Sequence, residues 1–127
     1  MLAKIASWVV RLGGLVMIVL GLLFWTGNAL TFVNEHMTLG LIVVVALWIL
    51  AVTAMQKGVG VGLTLGALLT GIAVLVVGMT QTRLLPGSAH IIIEVVHFLL
   101  GLTLISVGEI LTARLRRLDQ GNKPVAA

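Results

Sequence analysis

The sequence predicts an all-α integral membrane protein that folds as an up-down four-helix bundle with both termini in the cytoplasm. Three observations support this prediction. Of the 127 residues, 60% are apolar and 9% are charged, so the mean hydropathy reaches +1.22, whereas a soluble domain needs far more polar surface. Four apolar segments are each long enough to cross about 30 Å of hydrocarbon. Basic residues cluster on one side of these segments.

The predicted membrane-spanning segments cover residues 5–32, 35–55, 58–82 and 89–115. Each has about twenty or more residues, which is enough to span a bilayer with some tilt. Asn34 and Ser88 are the expected N-caps of the second and fourth helices, and Lys57-Gly58 predicts a tight turn. Because the connections are short, helices adjacent in sequence should be antiparallel neighbours. We expect one bundle domain.

That bundle domain covers residues 1–117, and residues 118–127 are expected to form a flexible cytoplasmic tail. The basic residues predict its orientation, since the cytoplasmic side of a membrane protein carries the excess of lysine and arginine. Only Arg83 falls on the outer side. The others fall on the inner side: Lys4, Arg11, Lys57, Arg114, Arg116, Arg117 and Lys123. A multi-pass protein of a cytoplasmic-type membrane is predicted.

Composition excludes several functions. The chain has no cysteine, which rules out disulfides, thiolate metal sites, cysteine nucleophiles and covalently attached c-type haem. In a soluble protein the net charge of +4 and the pI near 10.9 would suggest nucleic acid. Here the basic residues lie at helix ends, where they set topology and attract anionic lipid. We expect the lipid bilayer as a partner and no nucleic acid.

Two histidines and a glutamate interrupt the apolar sequence HIIIEVVHFLLG in the fourth segment. His90, Glu94, His97 and Gly101 follow steps of four, three and four residues, which places all four on one helix face. Ionisable residues at bilayer depth are costly, and they usually face protein, water or a ligand. This face is therefore the first candidate for a functional site.

A histidine followed four residues later by a glycine occurs twice, in HMTLG from His36 and in HFLLG from His97. Gly40 and Gly101 then lie directly beneath the histidines on the same helix faces. A porphyrin bound by such an imidazole needs a flat surface without side chains at that position. Ligation of haem by two histidines from facing helices is a common arrangement in helical bundles. The pattern predicts a cofactor site.

The depths of the histidines leave their pairing open. His97 lies about 10 Å deeper than His90, and His36 is intermediate, so it can face either one. Arg83 and His90 at the outer rim are expected to contact the propionates of a haem. Three aromatic residues near the same depth are expected to line the pocket: Trp25, Phe32 and Phe98.

These features resemble small four-helix b-type membrane cytochromes of the cytochrome b561-like kind. The resemblance rests on HMTLG and HIIIEVVHFLLG, and it implies haem b with His36 and His97 as axial ligands and His90 as a substitute partner. It also implies electron transfer near the outer leaflet, with a quinone or another redox partner. Only three histidines are present, so one haem per chain is the maximum. An electron carrier or binding protein is expected rather than a catalyst.

Two alternatives use the same residues differently. EVVH, from Glu94 to His97, is a Glu-x-x-His half-motif of the kind found in carboxylate metal bundles. Together with His90, and with Glu35 and His36 from the second helix, it predicts a zinc, copper or iron site that is mononuclear or shared across a dimer. In the other alternative, the chain is a non-catalytic accessory subunit whose polar face docks onto a larger membrane complex.

Two further features concern helix packing. Gly58, Gly62 and Gly66 form consecutive G-x-x-x-G steps, which permit close approach of another helix. They serve either the bundle interior or a homodimer, and the motif does not distinguish these. Arg11 and Glu109 lie near the same depth on the first and fourth helices, so an ion pair between them is expected to relieve two costly charges.

Overall fold

Four long helices form the part of the chain that the structure, a computed structural model, describes, namely residues 1–121. They are α1 (Leu2–Trp25), α2 (Val33–Gln56), α3 (Val61–Thr80) and α4 (His90–Gly121). Short 3₁₀ turns occur in the connections, at Leu30–Phe32, Gln81–Arg83 and Gly87–Ala89. All four helices are long and apolar enough to cross a membrane. The prediction of a helical membrane-spanning protein is confirmed at this level.

The helices pack in a ring. α1 contacts α2, α2 contacts α3, α3 contacts α4, and α4 closes the ring on α1. α2 and α4 also touch across the ring, whereas α1 and α3 make no contact within residues 1–121. The diagonal between α2 and α4 is therefore the short one. Because all three histidines are on these two helices, the short diagonal is where their side chains can meet.

On every helix, one series of residues spaced seven apart runs along the interior of the bundle, as expected for helices that cross at small angles. These stripes are Val10, Met17 and Phe24 on α1; His36, Val43 and Leu50 on α2; Thr64, Gly71 and Gly78 on α3; and His97, Leu104 and Leu111 on α4. His36 and His97 thus continue the stripes that form the apolar core elsewhere. Their positions on these stripes direct both imidazoles towards the interior.

The apolar core lies in the half of the bundle away from the histidines. There, glycines allow close helix contact: a Cβ on Gly13 would lie 2.6 Å from Val43, and one on Gly108 would lie 2.7 Å from Val10. By contrast, no residue in the ranges 15–42 and 75–103 is fully buried. The half of the bundle that holds His36 and His97 is loosely packed by its own side chains.

The first helix ends at Trp25, seven residues before the predicted end of the first span at residue 32. Gly27 adopts a positive φ of 74°, and its N–H donates to the carbonyl of Phe24 at 2.9 Å. The N–H of Asn28 donates to the carbonyl of Leu23 at 2.8 Å. These two bonds form a Schellman motif, which satisfies the last carbonyls of the helix and turns the chain away.

The remaining helix ends also differ in detail from the predicted spans. Gly58, with φ 84°, ends α2 in the tight turn that was predicted after Lys57. α2 begins at Val33, so Asn34 lies within the first turn and no side chain caps the helix. Ser88 lies in a 3₁₀ turn before α4, and its side chain forms no cap there.

α4 extends further than the predicted fourth span. It continues to Gly121, so residues 118–121 of the predicted tail are helical. Asp119 on this extension pairs with Lys57 Nζ at 2.5 Å, which ties the end of α4 to the turn between α2 and α3. The rest of the predicted tail, 122–127, lies outside the described residues.

Candidate functional site

His36 and His97 come together across the short diagonal of the bundle. Their ring centroids are 6.4 Å apart, and the ring planes meet at 56°. His36 is the first-turn histidine of α2, whereas His97 lies in the third turn of α4. The structure therefore brings His36 and His97 together, whereas the depths of the histidines in the sequence left open whether His36 faces His90 or His97.

Phe24 and Gly78 complete the same layer from the other two helices. The ring of Phe24 meets His36 edge-on, with centroids 5.1 Å apart. A Cβ on Gly78 would lie 2.9 Å from Cε1 of His97, so only glycine leaves room for that imidazole. We call Phe24, His36, Gly78 and His97 the histidine layer. Each helix contributes one residue to it.

Phe24 and Gly78 did not emerge from the sequence analysis. Both stand at seven-residue steps from interior residues of their own helices, Phe24 from Val10 through Met17 and Gly78 from Thr64 through Gly71. This spacing is the signal that could have found them. The predicted aromatic lining is present in part, since Trp25 and Phe98 contact each other beside the layer with centroids 6.2 Å apart. Phe32 is 51% exposed.

The imidazoles of the histidine layer carry polar atoms without partners. Nδ1 of His36 and Nδ1 of His97 are buried, and neither has a hydrogen-bond partner within the described residues. A buried polar atom without a partner costs about 1–3 kcal/mol, and most native structures contain few of them. Such atoms call for an explanation, and ligand binding by these histidines is one that the chemistry of imidazole supports.

The two glycines beneath the histidines differ in what surrounds them. A Cβ on Gly101 would have no heavy atom within 4 Å, so the surface below His97 is open. A Cβ on Gly40 would lie 3.0 Å from Cε of Met17, so this methyl covers the surface below His36. Met17 is a flexible side chain that can adopt another rotamer. The surface beneath His97 is thus open at Gly101, whereas Met17 covers the surface beneath His36 at Gly40.

His90 and Glu94 make a separate, local arrangement at the start of α4. Nδ1 of His90 is 3.1 Å from the carbonyl oxygen of Leu84, which fits an Nδ1–H that donates to this carbonyl. Nε2 of the same ring is 3.9 Å from Glu94 Oε1. The contact with Leu84 ties the connection after α3 to α4, whereas the contact with Glu94 lies within α4. Arg83 lies exposed in that connection and forms no ion pair within residues 1–121.

The donors of the site fit a haem better than a bare metal ion. Within the described residues, no group of three or more histidines and carboxylates lies close enough to hold an ion. A zinc, copper or iron ion bound only by His36 and His97 would lack the further protein ligands that such sites need. A haem brings four ring nitrogens of its own and needs only two axial ligands.

The distance between the two imidazoles also fits a haem. Two imidazoles that held one iron through a ring nitrogen each would have their ring centres about 6 Å apart, since metal–nitrogen bonds are about 2 Å long and the nitrogen is about 1 Å from the ring centre. The observed centroid separation is 6.4 Å. The residues of the layer therefore fit the group, provided that the Met17 methyl moves away from Gly40.

Two packing predictions can also be checked. Arg11 and Glu109 form a two-pronged ion pair, with Nε–Oε1 at 2.5 Å and Nη2–Oε2 at 2.6 Å, which confirms the expected pairing. Added Cβ atoms on Gly58, Gly62 and Gly66 would meet no atom of residues 1–121 within 4 Å. This glycine ladder is therefore not used in the packing of α3 against the other helices.

The fold and the site define a class: a helical protein whose four helices are apolar enough for a multi-pass membrane protein, with two interior histidines facing each other. Comparison with family models, curated proteins and solved structures gives no match.

Proposed function

We propose that this chain is a small integral membrane protein that binds one haem b between His36 and His97 and carries electrons near the outer leaflet. The observation that carries the proposal is the pairing of the two imidazoles across the short diagonal, with centroids 6.4 Å apart. The buried Nδ1 atoms and the open surface at Gly101 support it. When bound, a haem supplies reversible one-electron transfer.

The residues of the chain would have distinct tasks in such a site. His36 and His97 would bind the iron through one ring nitrogen each. Gly78 leaves room for the imidazole of His97, and Phe24 packs against the edge of His36. Trp25 and Phe98 would keep water from the site, because their rings pack against each other beside it. An apolar surrounding of this kind controls solvent access and thereby the redox potential.

We also propose the up-down arrangement with cytoplasmic termini in a cytoplasmic-type membrane. The contacts of α1 with α4 support opposite directions, since Ser7 meets Thr112 and Gly14 meets Ile105. The end of the bundle with Lys4, Lys57, Arg114, Arg116 and Arg117, here called the basic end, would face the cytoplasm. The histidine layer is then near the outer leaflet.

A second copy of the chain is the partner that we propose for the glycine ladder. Gly62 and Gly66 lie on a face of α3 with open space around it, and Thr70 continues the same face. Ladders of small residues allow helices in membranes to approach closely. A homodimer through α3 would leave the histidine layer of each chain intact, because Gly78 is rotated about 120° from Gly66 around the helix.

The first experiment is an optical spectrum of the detergent-purified protein, expressed with added haem and recorded oxidised and after reduction by dithionite. We expect a Soret band and a sharp reduced α band. His36→Ala and His97→Ala should each abolish the six-coordinate spectrum.

His90→Ala is the matched control, because this third histidine is already engaged with Leu84 and Glu94. It should retain the full spectrum. A protein that stays colourless when haem is supplied would overturn the proposal. Equal loss of haem in His90→Ala and in His97→Ala would overturn the assignment of the ligands.

A further inference from the structure

A cluster of charged residues flanks the contact between α1 and α4 at the basic end, far from the histidine layer. Its centre is the Arg11–Glu109 pair. The guanidinium of Arg11 also lies over the ring of Trp8, 5.7 Å from its centroid. Arg116 is seven residues after Glu109, which is about two helical turns further along the same face of α4.

Lys4 joins this cluster from α1. Lys4, Trp8 and Arg11 follow steps of four and three residues and share one face of the helix. Lys4 is about 10 Å from Arg11 along α1, and Arg116 is about 10 Å from Glu109 along α4, both towards the basic end. Since Arg11 is paired with Glu109, these equal distances place Lys4 and Arg116 at the same depth in the bundle.

The charges in this cluster do not balance. Three cations, Lys4, Arg11 and Arg116, face a single carboxylate, Glu109. Arg11 and Glu109 neutralise each other, which leaves Lys4 and Arg116 with no ion pair within the described residues. Both are exposed. Trp8, 49% exposed, has the amphipathic ring that favours the headgroup region of a bilayer.

We propose that this surface, formed by Lys4, Trp8, Arg11, Glu109 and Arg116, binds the phosphate headgroup of an anionic phospholipid. Lys4 and Arg116 hold the phosphate from two helices, and Trp8 packs beside the glycerol backbone. The Arg11–Glu109 pair fixes the spacing of α1 and α4 beneath it. Cationic sites between helices at this depth are suited to anionic headgroups. The proposal is independent of haem binding.

The test uses the full-length protein, stripped of lipid in detergent and examined by native mass spectrometry. Phosphatidylglycerol and phosphatidylcholine with the same acyl chains are added in equal amounts. The wild type should retain phosphatidylglycerol in preference to phosphatidylcholine. The variant Lys4→Gln/Arg116→Gln should lose about tenfold in this preference, since each cation near a membrane surface contributes appreciably to binding of anionic lipid.

Arg114→Gln is the matched control. Arg114 is two residues from Arg116, on nearly the opposite face of α4, and its removal changes the net charge of the same helical turn. It should keep the preference, and so should Lys4→Arg/Arg116→Lys, which retains both charges. A wild type without any preference would overturn the proposal, as would equal losses in Arg114→Gln and in Lys4→Gln/Arg116→Gln. Displacement of the lipid by equimolar inorganic phosphate would also overturn it, because the site would then select free phosphate.

Discussion

The histidine layer holds two of the three buried side-chain polar atoms that lack a partner within residues 1–121, and the third is Oγ1 of Thr64. Nδ1 of His36 and Nδ1 of His97 lack partners within residues 1–121, while Leu50 and Leu111, about four turns away on the same stripes, are fully buried and apolar. A polar atom in this position costs stability unless a ligand or a proton partner compensates for it. Functional sites often contain groups that lower the stability of the protein, because the function requires them.

Replacement of His97 by leucine should therefore separate stability from function. His97→Leu removes the unpartnered Nδ1 and puts an apolar side chain on an otherwise apolar stripe. We expect the haem-free protein to be as stable as the wild type or more stable by about 1 kcal/mol, and haem binding to be lost. Unfolding followed by circular dichroism in detergent measures the first effect and the Soret absorbance the second. A large loss of stability would show that His97 makes a stabilising contact.

A methyl group on Gly78 should disturb the site through His97. The added Cβ would lie 2.9 Å from Cε1 of the imidazole, so the ring must shift by a few tenths of an ångström. We expect Gly78→Ala to reduce haem content or to shift the α band of the reduced spectrum. Gly66→Ala, on the same helix but with open space around it, should leave the spectrum unchanged. Identical spectra for both variants would contradict the role of Gly78.

At the scale of helices, the ion pair between Arg11 and Glu109 links α1 to α4. Both side chains are only partly buried, 27% and 41% exposed, and the two hydrogen bonds are parallel. Removal of one partner should destabilise the protein more than removal of both, because a single loss leaves a charge without compensation at bilayer depth.

A double-mutant cycle tests this reasoning. We expect Glu109→Gln and Arg11→Met each to lower the free energy of unfolding by about 1–3 kcal/mol, and the double variant to lose less than the sum. Titration with sodium dodecyl sulfate, followed by far-ultraviolet circular dichroism, gives the three values. Strictly additive losses would mean that the two charges do not depend on each other.

At the scale of the whole molecule, the basic residues and the loosely packed residues lie at opposite ends of the bundle. The basic end holds the buried core, and the other end holds the histidine layer among residues that are not fully buried. In the orientation that we propose, the basic end faces one side of the membrane and the histidine layer lies near the other. The distribution of lysine and arginine then determines on which side the site operates.

Cysteine labelling can establish this orientation, since the natural chain has no cysteine. We expect Ser88→Cys to react with a membrane-impermeant maleimide in intact spheroplasts. Gln120→Cys, on the end of α4, should react only after permeabilisation. Both residues are exposed in the structure, so accessibility within the protein does not limit either reaction. The reverse pattern would show that the basic end faces outward and would place the histidine layer at the inner leaflet.

The sequence by itself determined the membrane class, the four helices and the Arg11–Glu109 pair. Hydropathy is a property of each segment alone, and two opposite charges at matching depth have few other partners in an apolar chain. It determined the ends of the helices less well. Gly27 carries the local signal that ends α1, but the apolar residues beyond it extended the predicted span.

Only the tertiary structure decided that His36 pairs with His97, that Phe24 and Gly78 complete the layer, and that Gly62 and Gly66 face away from the bundle. Each of these depends on the rotation of a helix about its own axis and on its register against its neighbours. Packing sets both quantities, because glycines such as Gly13 and Gly108 admit a neighbour only in one register. A pattern within one helix contains no information about the other three.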